Sequence, residues 1–212
     1  MVLEHERTCW AERVRRLAGV DEAGRGPWAG PVVAAAVVLA PAFAEAESNG
    51  LLRGLNDSKQ LTPRRREFFF ELLQHRPEVA ISVGTASVAE IDELNILRAT
   101  HLAMVRALVA LRPPADFALV DGLPVKGLPC PSRAIVRGDA LSLSIAAASI
   151  IAKVTRDRLM LELDRAFPAY GFAAHKGYGT AAHQRALRAH GPTAHHRRSF
   201  RPIRELLNLQ AG

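Results

Sequence analysis

Two rhythms of apolar residues run along the chain. Leu17-Ala18-Gly19-Val20-Asp21 reads as a short strand that ends in a glycine-rich turn. Val32 to Ala40 is apolar throughout, the pattern of a strand buried on both faces and hence central. Val79 to Thr85, Phe117 to Asp121 and Ala134-Ile135-Val136 are three further predicted strands. Helical signals fall between them. Thr62-Pro63 supplies an N-cap and a first-turn proline for a helix running to Leu73. Ser87-Val88-Ala89-Glu90 is a capping box, and Asn95 caps a helix that continues through Leu111 to the stop at Pro113-Pro114. Leu141 to Arg165 predicts one long helix, with shorter ones near 181–189 and 202–209. Pro41 to Gly54 reads as a surface loop, and residues 1–16 as a polar lead-in or short helix. Strands alternate with helices early and helices dominate late. The expected class is α/β, with a sheet core over 17–165 and a helical C-terminal extension over 166–212 in the same globular unit.

Composition narrows the function classes. The 212 residues suit one domain, and 49% apolar with 23% charged residues is a globular balance rather than a disordered one. Val32 to Ala40 is far shorter than the roughly 20 residues of a membrane span. The charged start Glu4-His5-Glu6-Arg7 lacks the apolar segment of a signal peptide. Cys9 and Cys130 form neither a zinc pattern nor a disulfide framework, so a reducing cytoplasm is expected; a monomer is expected too.

Charge is distributed unevenly. The net charge is +7, and residues 156–212 hold ten Lys/Arg against Asp157, Glu162, Asp164 and Glu205. A basic C-terminal quarter suggests a face for a polyanion, although a solvated surface would have the same composition. Lys is rare, at positions 59, 126, 153 and 176 alone, so each is a candidate compact point charge.

Carboxylates mark the candidate chemistry. Asp21 and Glu22 stand where a strand enters Ala23-Gly24-Arg25-Gly26-Pro27, and Asp121 ends another strand before Gly122. Strand ends are where α/β proteins place their sites, although acids also favour such boundaries as turn formers. If these three converge at about 5 Å, each pair repels by roughly 3 kcal/mol at an effective dielectric of 20, so protons or cations must neutralise them. An all-oxygen cluster without His or Cys suits Mg²⁺ or Mn²⁺, and two such ions support in-line attack of water on a phosphodiester. Asp139 also follows a strand, but it competes as N-cap of the long helix. Asp157, four residues after Lys153 and between Arg156 and Arg158, reads as part of a surface ion-pair set.

Asp21-Glu22-Ala23-Gly24-Arg25-Gly26-Pro27 resembles the signature of type 2 ribonucleases H, specifically the ribonuclease HII family. Further matches follow in family order: Asp57-Ser58-Lys59-Gln60-Leu61, Leu119-Val120-Asp121-Gly122, Arg137-Gly138-Asp139, Ser144 to Val154, His175-Lys176-Gly177-Tyr178-Gly179-Thr180 and Arg197-Arg198-Ser199-Phe200. They span residues 17 to about 203. The resemblance implies a ribonuclease H-like mixed sheet flanked by helices. It implies endonucleolytic cleavage of RNA in RNA–DNA hybrids and at single ribonucleotides embedded in duplex DNA. The family's four metal-binding acids fall on Asp21, Glu22, Asp121 and Asp139, leaving Asp157 outside the set. Gly24-Arg25-Gly26 matches the element that senses the 2′-hydroxyl, and Tyr178 the tyrosine that packs on the adjoining deoxyribose. Asn56, Ser58, Lys59, Ser149, Lys153, Lys176, Arg197 and Arg198 are the remaining expected substrate contacts. Trp28 stands where aliphatic residues are common, and Arg137 where Lys is common. Only 16 residues precede the first strand, so the separate N-terminal domain of ribonuclease HIII is not expected. Nor is a clamp-binding peptide recognisable at the C-terminus.

Two other readings share these residues. A basic hybrid-binding module without catalysis would use the same tail and Tyr178, but carboxylates facing phosphates would weaken it unless metal is present. Another two-metal nuclease would use the same acids, but a DNA-only enzyme needs no 2′-hydroxyl sensor.

Overall fold

The structure is a computed structural model that describes residues 3–211, with side chains to 208. Five strands form one sheet in the order β3-β2-β1-β4-β5: β1 Leu17–Ala23, β2 Val32–Leu39, β3 Val79–Ala86, β4 Phe117–Asp121 and β5 Ser132–Ile135. β1 and β2, and β2 and β3, are antiparallel, whereas β1–β4 and β4–β5 are parallel. The sheet is therefore mixed. Every residue of β2 is buried, as its unbroken apolar run requires.

Helices cover both faces. Ala34, Ala36 and Val38 of β2 pack with Ala103, Met104 and Ala107 of α5 (Ile96–Ala110). Their neighbours Ala35, Val37 and Leu39 point the other way, into a cluster with Ile150 and Ile151 of α7 (Leu143–Ala166). Each large aliphatic side chain buried there contributes about 1.5–3 kcal/mol. Small residues let α7 sit directly on the sheet. A Cβ added at Gly19 would lie 2.1 Å from the Ser144 carbonyl carbon. Behind the same end lies α1 (Glu4–Ala11), where the expected polar lead-in includes a fully buried acid. Glu6 accepts hydrogen bonds from Ser142 Oγ at 2.6 Å and Ser144 N at 2.9 Å, tying α1 to the start of α7.

Three sequence expectations need correction. Residues 41–54 are not simply a surface loop: Pro41–Glu47 is helix α2, which buries Phe43 and Ala44, and Leu52 and Leu55 follow into the core. Pro41 at the first helical position and the Ala/Glu composition favour this helix, and Phe43 supplies its docking face. β5 ends at Ile135 and leaves Val136 65% exposed. The long helix is broken near its start. Gly138–Leu141 forms the short helix α6, Ser142 adopts an extended conformation, and α7 begins at Leu143. In sequence α3 (Pro63–Gln74) precedes β3 and α4 (Val88–Leu94) follows it, and beyond α7 lie α8 (Phe172–His175), α9 (Ala181–His190) and α10 (Arg201–Ala211). Among the described residues no helix is long and apolar enough to cross a membrane.

Candidate active site

Strand register brings the first two acids together. Val20 of β1 pairs with Val120 of the parallel β4, so Asp21 and Asp121 emerge side by side one residue beyond the shared ladder. The chain then crosses β5 and returns through α6, where the Asp139 N–H donates to Asp121 Oδ1 at 3.4 Å. One carboxylate oxygen from each of Asp21, Asp121 and Asp139 lies within 4.8 Å of the other two. Asp139 is not the cap of the long helix. Ser142 takes that role, its side chain accepting from Ile145 N, which leaves the Asp139 carboxylate to the cluster.

Burial and mutual repulsion shape the cluster. Asp21 is 4% exposed, and burial, then Glu22 and Asp121, raises its carboxyl well above the usual range. Burial followed by the charge of Asp121 lifts Asp139 to about 6. Lys59 reaches toward the group, with Nζ 4.0 Å from Asp139 Oδ2. Its ammonium is lowered by burial but raised more by Asp57, Asp21, Asp139 and Asp121, and the net shift is upward. Three converging carboxylates, with Asp21 and Asp139 raised, form a site suited to a hard divalent cation, which would relieve the repulsion.

Glu22 stands beside this trio rather than in it. β1 continues to Ala23, so the side chains of Asp21 and Glu22 leave opposite faces of the strand. The Glu22 N–H donates to Asp21 Oδ1 at 2.6 Å, while its carboxylate meets Arg25 Nη1 at 3.4 Å. Burial raises the Glu22 carboxyl and Arg25 pulls it back, with a net rise. A cleft of about 640 Å³ opens from here, lined by Glu22, Gly24, Arg25, Gly26, Lys59 and Tyr178 among others. Tyr178 is 46% exposed, and its ring faces the turn, with Cε1 3.5 Å from where a Cβ on Gly26 would lie.

A family model described as Ribonuclease HII matches residues 18–203. The ribonuclease HII of Magnetococcus marinus is 59% identical over 197 residues, covering 92% of this chain and 88% of that protein. That of Chloroflexus aggregans is 56% identical over 207 residues, covering 98% and 96%. The chain belongs to the ribonuclease HII family. Among solved structures, the ribonuclease H2 of Pyrococcus horikoshii OT3 superposes with a TM-score of 0.72 at 30% identity, covering 92% of this chain and 98% of that one.

Within this ribonuclease HII fold the expected substrate residues divide. Lys59 and Lys153 line the cleft beside Gly24, Arg25 and Gly26, although Lys153 Nζ is paired with Asp157 at 2.7 Å. That pairing is the ion pair read from their spacing. Ser58 also lines the cleft but is 3% exposed, and its N–H and hydroxyl bond the buried Ser149 Oγ at 3.4 and 2.9 Å. Ser149, expected as a substrate contact, is 3% exposed, and its hydroxyl ties the 57–59 turn to α7. Asn56 supports the same turn, accepting from Asp57 N at 2.9 Å and donating to Gln60 Oε1 at 3.2 Å. Lys176 directs its ammonium to the Ala173 carbonyl, beside an adjoining groove of about 490 Å³ that Tyr178 also lines. The Arg198 side chain is exposed while its N–H docks on Asp92 at 2.9 Å.

Arg197 is the clearest correction. It is fully buried and donates to the carbonyls of Gly24, Arg25 and Gly30, so it cannot serve as a surface phosphate contact. Burial, then the neighbouring Arg156 guanidinium, pushes it down to about 9, so it remains charged at neutral pH. Arg156, read from sequence only as a neighbour of Asp157, is 1% exposed and serves the same loop. Its helical spacing gave a signal, since Ala152, Arg156 and Met160 recur every four residues on the buried side of α7.

Proposed function

We propose that this chain is an endonuclease that hydrolyses the RNA strand of RNA–DNA hybrids and cuts on the 5′ side of single ribonucleotides embedded in duplex DNA. The observation that carries this reading is the Gly24-Arg25-Gly26 turn, which leaves the strand holding Asp21 and faces Tyr178 across one cleft. Among the described residues the N–H groups of Arg25 and Gly26 have no protein acceptor, so backbone donors stand free at the cleft wall. A 2′-hydroxyl separates RNA from DNA, and such donors can bond it without reading a base. The flat face of Tyr178 suits a sugar without the 2′-oxygen on the next nucleotide.

Asp21, Asp121 and Asp139 would hold one divalent cation, and Glu22, which lines a small neighbouring pocket together with Asp121, would contribute to a second. Bound Mg²⁺ or Mn²⁺ would supply activation of water and charge neutralisation at the phosphate. The chain's own groups do the positioning. Lys59, at the rim, attracts the phosphate without a directional fork. The turn orients the ribose, and Tyr178 fixes which sugar lies beyond it. In the hydrolysis the water oxygen bonds phosphorus, the phosphorus–O3′ bond breaks, and the released 3′-oxygen takes up a proton. The ribonucleotide keeps the 5′-phosphate and the upstream strand ends in a 3′-hydroxyl.

Asp121→Asn, compared with the wild type in Mg²⁺ or Mn²⁺, tests this reading. Cleavage of a hybrid should vanish while affinity stays largely intact, because the basic and aromatic surfaces are untouched. A wild-type protein that binds hybrid and cuts it with neither ion would leave a binding module instead.

A further inference from the structure

Two arginine side chains lie beneath the ribose-facing loop with no carboxylate in direct contact, Asp157 and Asp92 acting on Arg156 and Arg197 only through space. Arg156 and Arg197 are 1% and 0% exposed, and among the described residues neither is in a salt bridge. Their partners are all backbone carbonyls. Arg197 donates from Nη2 to Gly24 O at 2.6 Å, from Nη1 to Arg25 O at 2.9 Å, and from Nε and Nη2 to Gly30 O at 3.0 and 2.8 Å. Arg156 donates from Nε to Pro31 O at 3.0 Å, from Nη2 to Ala29 O at 3.1 Å and from Nη1 to Lys176 O at 3.1 Å.

Stability alone does not account for this arrangement. Burying one guanidinium costs several kcal/mol, and well-packed apolar residues commonly stabilise as well or better. The arrangement does set backbone direction. A loop outside the sheet has carbonyls that need partners, and here five of them between Gly24 and Pro31 point inward to two planar forks. The donors of Arg25 and Gly26 stay free for the cleft. Gly24 makes the approach possible: its φ is +101°, and a Cβ there would lie 2.0 Å from Arg156 Nε.

The same forks reach the other wall. Lys176, whose carbonyl Arg156 holds, is two residues before Tyr178. Trp28 N donates to Gly177 O at 2.8 Å, and Arg197 N donates to Trp28 O at 2.8 Å. Phe200 lies under the Arg197 guanidinium, 5.1 Å from ring centroid to Cζ.

We propose that Arg156 and Arg197 are positioning residues for ribose recognition, joining the Gly24–Gly26 turn and Tyr178 into one rigid reader without touching substrate. The proposal rests on the reading above that this cleft senses a 2′-hydroxyl. Lysine cannot replace either residue, because one ammonium on a different stem cannot bond carbonyls that a planar fork spans.

The experiment measures equilibrium binding in EDTA to a duplex with one ribonucleotide and to the same duplex made only of DNA. Wild type should prefer the ribonucleotide duplex by roughly fivefold to tenfold, the worth of about one net hydrogen bond. In Arg197→Lys the ratio should fall toward one while the DNA-only affinity changes by less than about twofold, since no phosphate contact is lost. Arg156→Lys should do the same. Circular dichroism and melting establish that each variant is folded. If neither lysine variant folds, Arg197→Ala with millimolar methylguanidinium should recover the fold and the preference together. A folded variant with an unchanged ratio, or with equal loss on both duplexes, overturns the proposal, as does loss of fold without rescue. A wild type with no preference overturns the 2′-hydroxyl reading itself, and the proposal with it.

Discussion

Replacing Asp139 with Asn should stabilise the metal-free protein while abolishing cleavage. Asp21, Asp121 and Asp139 each offer an oxygen within 4.8 Å of the other two. At that distance, and an effective dielectric of 20, each ionised pair repels by about 3 kcal/mol. Three such pairs would approach the whole stability of an ordinary domain, so the cluster must keep protons when metal is absent. The upward shifts of Asp21 and Asp139 express this. At pH 7.5 Asp139 lies above its value of about 6 and is mostly ionised. Asn removes that charge and keeps both the shape and the backbone bond to Asp121. The loss on the other side is small. The Lys59 contact is 4.0 Å long, with the Lys side chain 79% exposed, a geometry worth about 0–1 kcal/mol. Repulsion therefore wins, and a net gain of about 1–3 kcal/mol corresponds to roughly 3–10 °C in Tm for a chain of this size. The assay is thermal unfolding in EDTA and in Mg²⁺, with cleavage followed in parallel. Mg²⁺ should raise the Tm of wild type much more than that of the variant. A variant less stable than wild type in EDTA, or one that gains as much from Mg²⁺, would refute the electrostatic argument.

Other expectations follow from the same geometry. The raised Asp139 carboxyl makes the folded protein bind more protons at this group than the unfolded chain does between about pH 4 and pH 6, so its own contribution to metal-free stability is present below that window and is lost as pH rises through it. Buried His183 and His196, each lowered to about 4, instead contribute a rise with pH up to about 6.5. The gain in Tm of Asp139→Asn over wild type in EDTA should therefore grow from pH 5 to 7.5, Mg²⁺ should reduce that growth, and a gain independent of pH would contradict the assignment. Tyr178→Ala should cost most on a single embedded ribonucleotide, where the sugar step is the sole cue; equal loss on a long hybrid would remove Tyr178 as junction reader. Arg198→Ala should flatten the slope of log affinity against log salt by about one unit, through a lost phosphate contact, and an unchanged slope would leave Arg198 as solvated surface.

The chemistry of this site was more legible in the sequence than its support. Asp21, Asp121 and Asp139 show as strand-end acids because strands and turns are local patterns. In sequence Glu22 groups with Asp21 and Asp121, and the gap between Glu22 and the trio went unread although adjacent residues on a strand face opposite ways. Asp139 was ambiguous because capping and metal binding favour the same residue type, and Ser142 decides the matter only once the break before α7 is seen. Arg197 was misread for a physical reason. Its acceptors are carbonyls more than 160 residues away in sequence, and carbonyls leave no signature in composition. Glu6 was hidden in the same way, because its partners, Ser142 and the Ser144 N–H, lie 136 and 138 residues away in sequence. Helix α2 was obscured by the proline that starts it, which reads equally well as a loop residue.

The central claim is that this cleft recognises the step from ribose to deoxyribose and hydrolyses the phosphodiester on the 5′ side of that ribonucleotide. The most direct test maps the ends produced in Mg²⁺ from a DNA duplex with one embedded ribonucleotide, beside the same duplex without it. The account predicts a single cut 5′ to the ribonucleotide, a 3′-hydroxyl upstream, a 5′-phosphate on the ribonucleotide and no cut in the all-DNA control. A cut on its 3′ side, a cyclic phosphate end, or equal cutting of the control would contradict it.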